Sequence, residues 1–402
     1  MQDHRKLGRD LELFHSDPLV GAGLPLWLPA GAAARRAVED YIHALERRNG
    51  YQHVYSPPLA KQEMYVRSGH LPHFADDMFP PMALSEHDAF VLRPSLCPHH
   101  AAVFGARGRS YRELPLRIGE IGGQYRAERS GVLGGLSRVR AISLNDGHVF
   151  CTEEQVRAEV VESLRLMRVA HAALGFRPAS FRLSLRGEGG KYVDDPAMWD
   201  KASAVLRDAL QEVSDEAGVS SVEAPGEAAF YGPKIDVQLL DHAGRESTLA
   251  TVQVDYFQPA RFDLSYVDAD GQRRRPVMVH RSVAGSMERL FAHLIEVHDG
   301  AFPAWYAPLQ VAVLPVADAF AGGAFLRACR AADLRVEEWH EGSLGARIRQ
   351  AAARKVPYVA VVGEREAAAG AVSLRPRDPG AVSGVLPVAA AIAALAQDCS
   401  AP

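Results

Sequence analysis

The sequence predicts an α+β fold: an antiparallel-sheet domain with flanking helices over residues 1–304, then a small α/β domain over 305–402. Three observations lead there. Short β-like runs separated by glycine and basic turns crowd residues 86–151, and more follow between 228 and 283. Long stretches of helical periodicity lie outside those regions. Past Trp305, strands and helices alternate in short units, which indicates a second sheet of its own.

Composition narrows the class. A chain of 402 residues, 48% hydrophobic and 23% charged, is an ordinary globular protein of two or three domains. The net charge of −4 gives no global sign of nucleic-acid binding, so any such surface is a local basic patch. Cys97, Cys151, Cys329 and Cys399 are scattered, with no CxxC, which favours a reducing compartment. The N-terminus, MQDHRKLGRDLELF, has no apolar core of a secretory signal. The apolar run from Leu386 to Ala396 is too short to span a bilayer. The expectation is a soluble cytoplasmic protein.

The elements follow in order. Residues 30–48 carry Val38, Tyr41, Ile42 and Leu45 on one helical face, and Gly50 is the expected C-cap. "YQHVYSPP" reads as a strand halted by Pro57 and Pro58. The runs AFVLRPS, LPLRIGEIGGQYRAE, RVRAISL and HVF read as an antiparallel meander. Helices are expected over 153–174, with Thr152 as N-cap, over about 196–217, and over 287–298. The second domain reads as strand YAPLQVAVLPV, helix AFLRACRAADL, strand RVEEWH, helix LGARIRQAAARK, strands PYVAVVGE and AVSLRP, and a final alanine-rich helix. DPGAVSGV, residues 378–385, is expected to be a loop.

Three stretches carry chemistry. In "YRAE", Arg126 and Glu128 are two apart on what reads as one strand face, which suits an arginine clamping a phosphate oxygen; a surface ion-pair ladder would look the same. In "AGSMERL", Ser286 and Arg289 open a helix whose N-terminus favours a polyphosphate, although a solvated Glu-Arg pair is the common reading. In "LNDGHVFC", His148 and Cys151 invite a metal reading, but three residues apart on a strand they face opposite ways, so Cys151 belongs to the core.

Taken together, in this order and separation, "YRAERSG" and "VMVHRSVAGSMERL" resemble motifs 2 and 3 of class II aminoacyl-tRNA synthetases. The helix at 30–48 with "VYSPP" resembles motif 1, the dimer-forming element. "RSGHLPHFADDMF", "LRPSLCPHH", "HVFCTEEQV", "AAFYGPKIDV" and "TVQVDYF" make the threonyl-tRNA synthetase family the closest match, over residues 4 to about 377.

That resemblance implies a site. The family's zinc ligands fall on Cys97, His148 and His280. The metal's open position would take the amino group and β-hydroxyl of threonine, with Asp146 accepting from that hydroxyl. Arg126 and Arg289 would clamp the ATP phosphates, assisted by Mg²⁺, and Glu128 would meet the adenine. Tyr231, Lys234, Thr251, Gln253 and Ser286 match pocket residues, and His70 matches a histidine linked to transfer onto tRNA. The last domain resembles the anticodon-binding α/β domain, with Arg347, Arg349 and Arg375 as candidate tRNA contacts, beside Arg354, Lys355 and Arg377. A homodimer is implied.

The chain also departs from the family pattern. "QDDAH" reads Leu144-Asn145-Asp146-Gly147-His148, "NCPGH" reads Leu96-Cys97-Pro98-His99-His100, and "CGTVQ" reads Leu249-Ala250-Thr251-Val252-Gln253. No editing region precedes the catalytic segment, so serine, once activated, would not be cleared in cis. The expected function is ATP-dependent threonine activation and transfer to tRNA(Thr). The alternatives are a paralog selecting another β-hydroxy amino acid or resisting an inhibitor, linked to secondary metabolism, and a non-catalytic tRNA-binding regulator.

Overall fold

The computed structural model describes residues 2–85, 88–189, 192–320 and 323–402. The expected start of the meander, at residues 86 and 87, lies outside the described residues. The chain forms two compact units, one of residues 16–24 and 42–292, the other of 1–15, 25–41 and 293–402.

The first unit is organised by an eight-stranded sheet. Its strands are β1 (Gln52–His53), β2 (Leu116–Tyr125), β3 (Ala141–Cys151), β4 (Ser180–Leu185), β5 (Ser221–Pro225), β6 (Lys234–Leu240), β7 (Glu246–Asp255) and β8 (Val277–Ser282). They lie in the order β5-β4-β6-β7-β8-β3-β2-β1, antiparallel except for the two edge pairs. The long β2 and β3 pair from Leu116 opposite Phe150 to Tyr125 opposite Ala141. Past Tyr125 the pair keeps one more bond, Arg126 N–H to the Arg140 carbonyl, and then parts as the Ala127 N–H turns to the Asp77 carbonyl.

Register decides which side chains share a face, since strand side chains alternate and directly paired residues point the same way. Ile118 opposes His148, His148 opposes His280, and His280 opposes Gln253, which in turn opposes Lys234. Asp146, Thr251 and Ser282 fall on the same face by period two. Asn145, Gly147, Cys151 and Arg281 fall on the other.

Helices cover both faces. On the histidine side, helix α2 (Cys97–Gly105) packs Phe104 against Phe150, ring centroids 4.5 Å apart, in a core with Ile118 and Met278. On the other, α3 (Val156–Ala173) lies on β7 and β8 and against α4 (Pro196–Ala217). Cys151 is fully buried and its thiol meets the Val277 carbonyl, as the core reading expected.

The second unit contains a five-stranded mixed sheet. Strands β9 (Val311–Pro315), β10 (Val336–Glu338), β11 (Tyr358–Val362), β12 (Ala371–Pro376) and β13 (Gly384–Pro387) lie in the order β10-β9-β11-β12-β13. Helices Gly323–Ala331, Leu344–Ala353 and Val388–Asp398 accompany them. No helix among the described residues is long and apolar enough to cross a membrane.

Several expectations are corrected. Helix Pro29–Arg48 forms as read and Gly50 takes φ 80°, but the strand after it pairs only at Gln52–His53. Arg126 and Glu128 stand past the end of β2, not on it. Helix α2 was not read, although Pro98 in its first turn is a usable start signal. Thr152 begins a 3₁₀ turn, Glu153–Gln155, before α3. The expected loop 378–385 ends in β13, which pairs Val385 with Ser373.

The histidine face depends on the aromatic stack beneath it. Phe150→Ala should cost about 3–5 kcal/mol of stability, read as a lower urea midpoint; an unchanged midpoint would contradict this packing.

Candidate active site

Cys97, His148 and His280 come from three elements and meet on one face of the sheet. Cys97 is brought there by the first turn of α2, while the two histidines are direct neighbours across β3 and β8. All three are buried, and their ligand atoms lie within 4.8 Å of one another. His148 Nε2 is 3.0 Å from His280 Nδ1. A thiol and two imidazoles converging this closely form a donor set suited to zinc or a similar transition metal. Burial pushes the Cys97 thiol well up and the His148 imidazole well down. A bound cation would reverse the first and suit the second.

The far side of each histidine is also occupied. His280 Nε2 lies 2.8 Å from Asp255 Oδ2, and Asp255 Oδ1 caps the following turn through the Phe257 and Gln258 N–H groups. His148 Nδ1 lies 2.7 Å from His100 Nδ1. Neither Asp255 nor His100 was given a role from sequence. Their signals were weak ones: a strand position two after Gln253, and a second histidine in "CPHH".

Other expected residues surround this centre. Asp146 Oδ1 is 4.0 Å from His148 Nε2, and burial raises its pKa. Tyr231 stacks on His280 at 5.1 Å and donates its hydroxyl to Gln253 Oε1 at 2.6 Å. Lys234 bonds both oxygens of Asp236, and Thr251 stands opposite Asp236 and Ser282. His70 is held by Ser68 at Nδ1 and Ser95 at Nε2, 3.9 Å from the Cys97 sulfur. Burial, with Arg126 and His280 nearby, lowers its pKa to about 3, so it is a neutral imidazole at pH 7.

The phosphate-type elements converge beside it. Arg126, Glu128, Leu144, Ser286 and Arg289 line one cavity of about 100 Å³. Arg126 is stacked over Phe74 at 5.5 Å, and its buried Nε–H has no hydrogen-bond partner among the described residues. Arg289 donates to the Thr248 and Ser137 carbonyls, and its own N–H is capped by Ser286 Oγ. Burial lowers the pKa of both arginines, and for Arg289 the neighbouring Arg126 and Arg138 add to the effect. Crowded, half-buried guanidinium groups with an unused donor suit a polyanion. Glu128, expected at a base, is paired with Arg138 at 2.8 Å.

Asn145, on the opposite face, acts as a clamp. Its Nδ2 donates to Glu46 Oε1 at 2.8 Å, and its Oδ1 accepts from the N–H groups of Val283 and Ala284 at 3.1 and 3.3 Å. Glu46 also pairs with Arg281 at 2.6 Å, both fully buried. Asn145 thereby ties the segment leading to Ser286 and Arg289. Within that segment Gly285 has φ +67°, and a Cβ there would stand 2.1 Å from the Leu249 carbonyl oxygen, so only glycine fits.

In the second unit, Arg349 and Arg375 are exposed. Arg347 is not: it is buried and donates to the Trp339 carbonyl at 2.6 Å. The tRNA contact expected of it would require this side chain to turn out of the fold.

Comparison with known proteins places the fold and site in a class. Residues 82–298 match the family model of the tRNA synthetase class II core domain (G, H, P, S and T), and residues 310–398 match the anticodon binding domain. The threonine–tRNA ligase of Levilactobacillus brevis is 48% identical over 380 residues, covering 93% of this chain and 58% of the relative. Threonine–tRNA ligase 1 of Bacillus subtilis is 46% identical over 381 residues, with the same coverage. The solved RNA binding domain of threonyl-tRNA synthetase from Cryptosporidium parvum superposes with a TM-score of 0.92 at 33% identity, covering 100% of this chain and 99% of that one. The chain belongs to the class II aminoacyl-tRNA synthetases, in the threonyl-tRNA synthetase family. It spans 58% of the length of those curated relatives.

Asn145→Ala removes the clamp and leaves Glu46 and two backbone N–H groups short of partners. It should cost about 1–3 kcal/mol, measured by urea unfolding; wild-type stability would show that the clamp is dispensable.

Proposed function

We propose that this chain is a threonine–tRNA ligase, forming threonyl-adenylate from threonine and ATP and transferring the threonyl group to tRNA(Thr). The observation that carries the reading is the Cys97/His148/His280 cluster with Asp146, and the cavity lined by the half-buried Arg126 and Arg289. Sequence identity of 46–48% to threonine–tRNA ligases supports it.

Cys97, His148 and His280 would hold zinc. When bound, the metal supplies an open coordination position for the substrate amine and β-hydroxyl. Asp146 accepts from the hydroxyl. The substrate carboxylate is already ionised, so no general base is needed to attack the α-phosphorus. A carboxylate oxygen–phosphorus bond forms, the bond to the β-phosphate oxygen breaks, and magnesium pyrophosphate leaves. Arg126 and Arg289 position the phosphates and offset their charge, and the fixed geometry supplies the rest of the acceleration. Glu128 exchanges Arg138 for the adenine amine. In the second step a terminal ribose hydroxyl of tRNA attacks the carbonyl and AMP leaves. His70, neutral and held by two serines, belongs to that step.

We further propose a functional boundary at residue 304, Arg349 and Arg375 as tRNA contacts, a homodimer through the motif 1 elements, and a cytoplasmic location.

Amino-acid-dependent ATP–pyrophosphate exchange tests the reading. Threonine should support exchange, serine about 10–200-fold less efficiently, and valine about 10⁴-fold less, because valine brings no hydroxyl to a site built to bind one. Arg289→Ala should lower kcat/KM for exchange about 10²–10³-fold. Absence of threonine-dependent exchange would overturn the proposal.

A further inference from the structure

His148 and His100 are both fully buried. Their Nδ1 atoms are 2.7 Å apart, with the rings edge to face at 88°. Two imidazole nitrogens at this distance share one hydrogen: one must carry it and the other must offer a lone pair. The remaining nitrogen of each ring faces something different. His148 Nε2 faces the proposed metal centre, while His100 Nε2 lies 3.3 Å from Glu120 Oε2. Glu120 also accepts from Ser56 Oγ at 2.6 Å and from the buried Arg93 guanidinium at 3.1 Å.

Once a metal takes the His148 Nε2 lone pair, one proton arrangement of neutral rings satisfies these contacts. His148 then carries its proton on Nδ1, 2.7 Å from His100 Nδ1, which must accept it. His100 is left with its proton on Nε2, where it donates to Glu120. If His100 carried its proton on Nδ1 instead, that proton would oppose His148 Nδ1–H, and its bare Nε2 would face the Glu120 carboxylate. Glu120, two imidazoles away, favours the ligating state.

We propose that His100 is a positioning residue: it relays the Glu120 carboxylate to His148 and fixes the tautomer in which His148 Nε2 ligates the metal. His280 has a direct version of the same device in Asp255. The relay differs because β2 and α2 leave a ring's width between Glu120 and His148, and His100 fills it. The inference rests on the metal reading above, because without a metal the 3.0 Å contact of His148 Nε2 with His280 Nδ1 also needs a hydrogen.

Two measurements on the full chain test it. In zinc-loaded protein with ¹⁵N-labelled histidine, long-range ¹H–¹⁵N spectra should show His100, assigned by signal loss in His100→Phe, protonated at Nε2 and bare at Nδ1. A zinc-loaded protein with His100 protonated at Nδ1 would overturn the proposal while the metal reading stood. Zinc affinity, read by chelator competition, should fall about 10–100-fold in His100→Phe, with altered visible bands in the cobalt-loaded protein. His100→Asn, whose amide oxygen can still accept from Nδ1–H, should recover most of the affinity. Equal zinc binding in wild type and His100→Phe would overturn the relay. A wild type that binds no zinc would instead defeat the metal reading, and this proposal with it.

Discussion

The antiparallel register of β3 against β8 is the constraint on which the rest of the site depends. It sets His148 directly across from His280. A slip of one residue would send one histidine to the opposite face, because strand side chains alternate with period two. The same register aligns Lys234, Gln253, Thr251 and Asp146 on the histidine face and Asn145, Gly147 and Arg281 behind it. The sheet thus has a chemical side and a structural side. The structural side holds the Glu46–Arg281–Asn145 cluster, which fixes the turn into Ser286 and Arg289. The position of an arginine at the phosphate pocket is therefore set partly by a buried ion pair on the other face.

The site is electrostatically unbalanced in a way that suits an anionic substrate. Arg126, Arg138 and Arg289 crowd one another, and burial costs Arg126 and Arg289 solvation that Glu128 alone does not return. A bound anion would relieve that crowding of like charge, as the proposed phosphate role requires. Around the proposed metal the logic is reversed. His70 and His148 are held neutral by burial, and the carboxylates of Asp255 and Glu120 stand one and two groups back. Neutral imidazoles inside and carboxylates behind them suit a divalent cation.

Periodicity made much of the fold legible. The helices at 29–48, 156–173 and 196–217 carry regular apolar faces with recognisable starts and stops, and the strand–helix alternation after 305 marked the second sheet. Helix α2 escaped because "CPHHAAVF" opens with three residues that read as chemistry, while its packing against Phe150 comes from a distant strand. Arg126 and Glu128 read as strand because their alternation continues that of β2, yet the ladder parts at Ala127, whose N–H turns to the Asp77 carbonyl. The metal candidates could not be found by spacing at all. They lie on a helix and two strands, and only the resemblance to a family joined them. Arg347 shows the converse limit: charge in a helical row says nothing of which side chains turn inward, and Arg347 is spent on the Trp339 carbonyl. Leu144 lines the phosphate cavity, whereas Asn145, which drew notice beside it, faces away.

The central claim is that Cys97, His148 and His280 hold a metal that receives the substrate. X-ray absorption at the zinc edge of the loaded protein measures this directly. The account predicts one sulfur at about 2.3 Å and two imidazole nitrogens at about 2.0–2.1 Å, with the remaining light-atom shell changing when threonine is added and not when valine is added. A zinc shell without sulfur, or one indifferent to threonine, would contradict it.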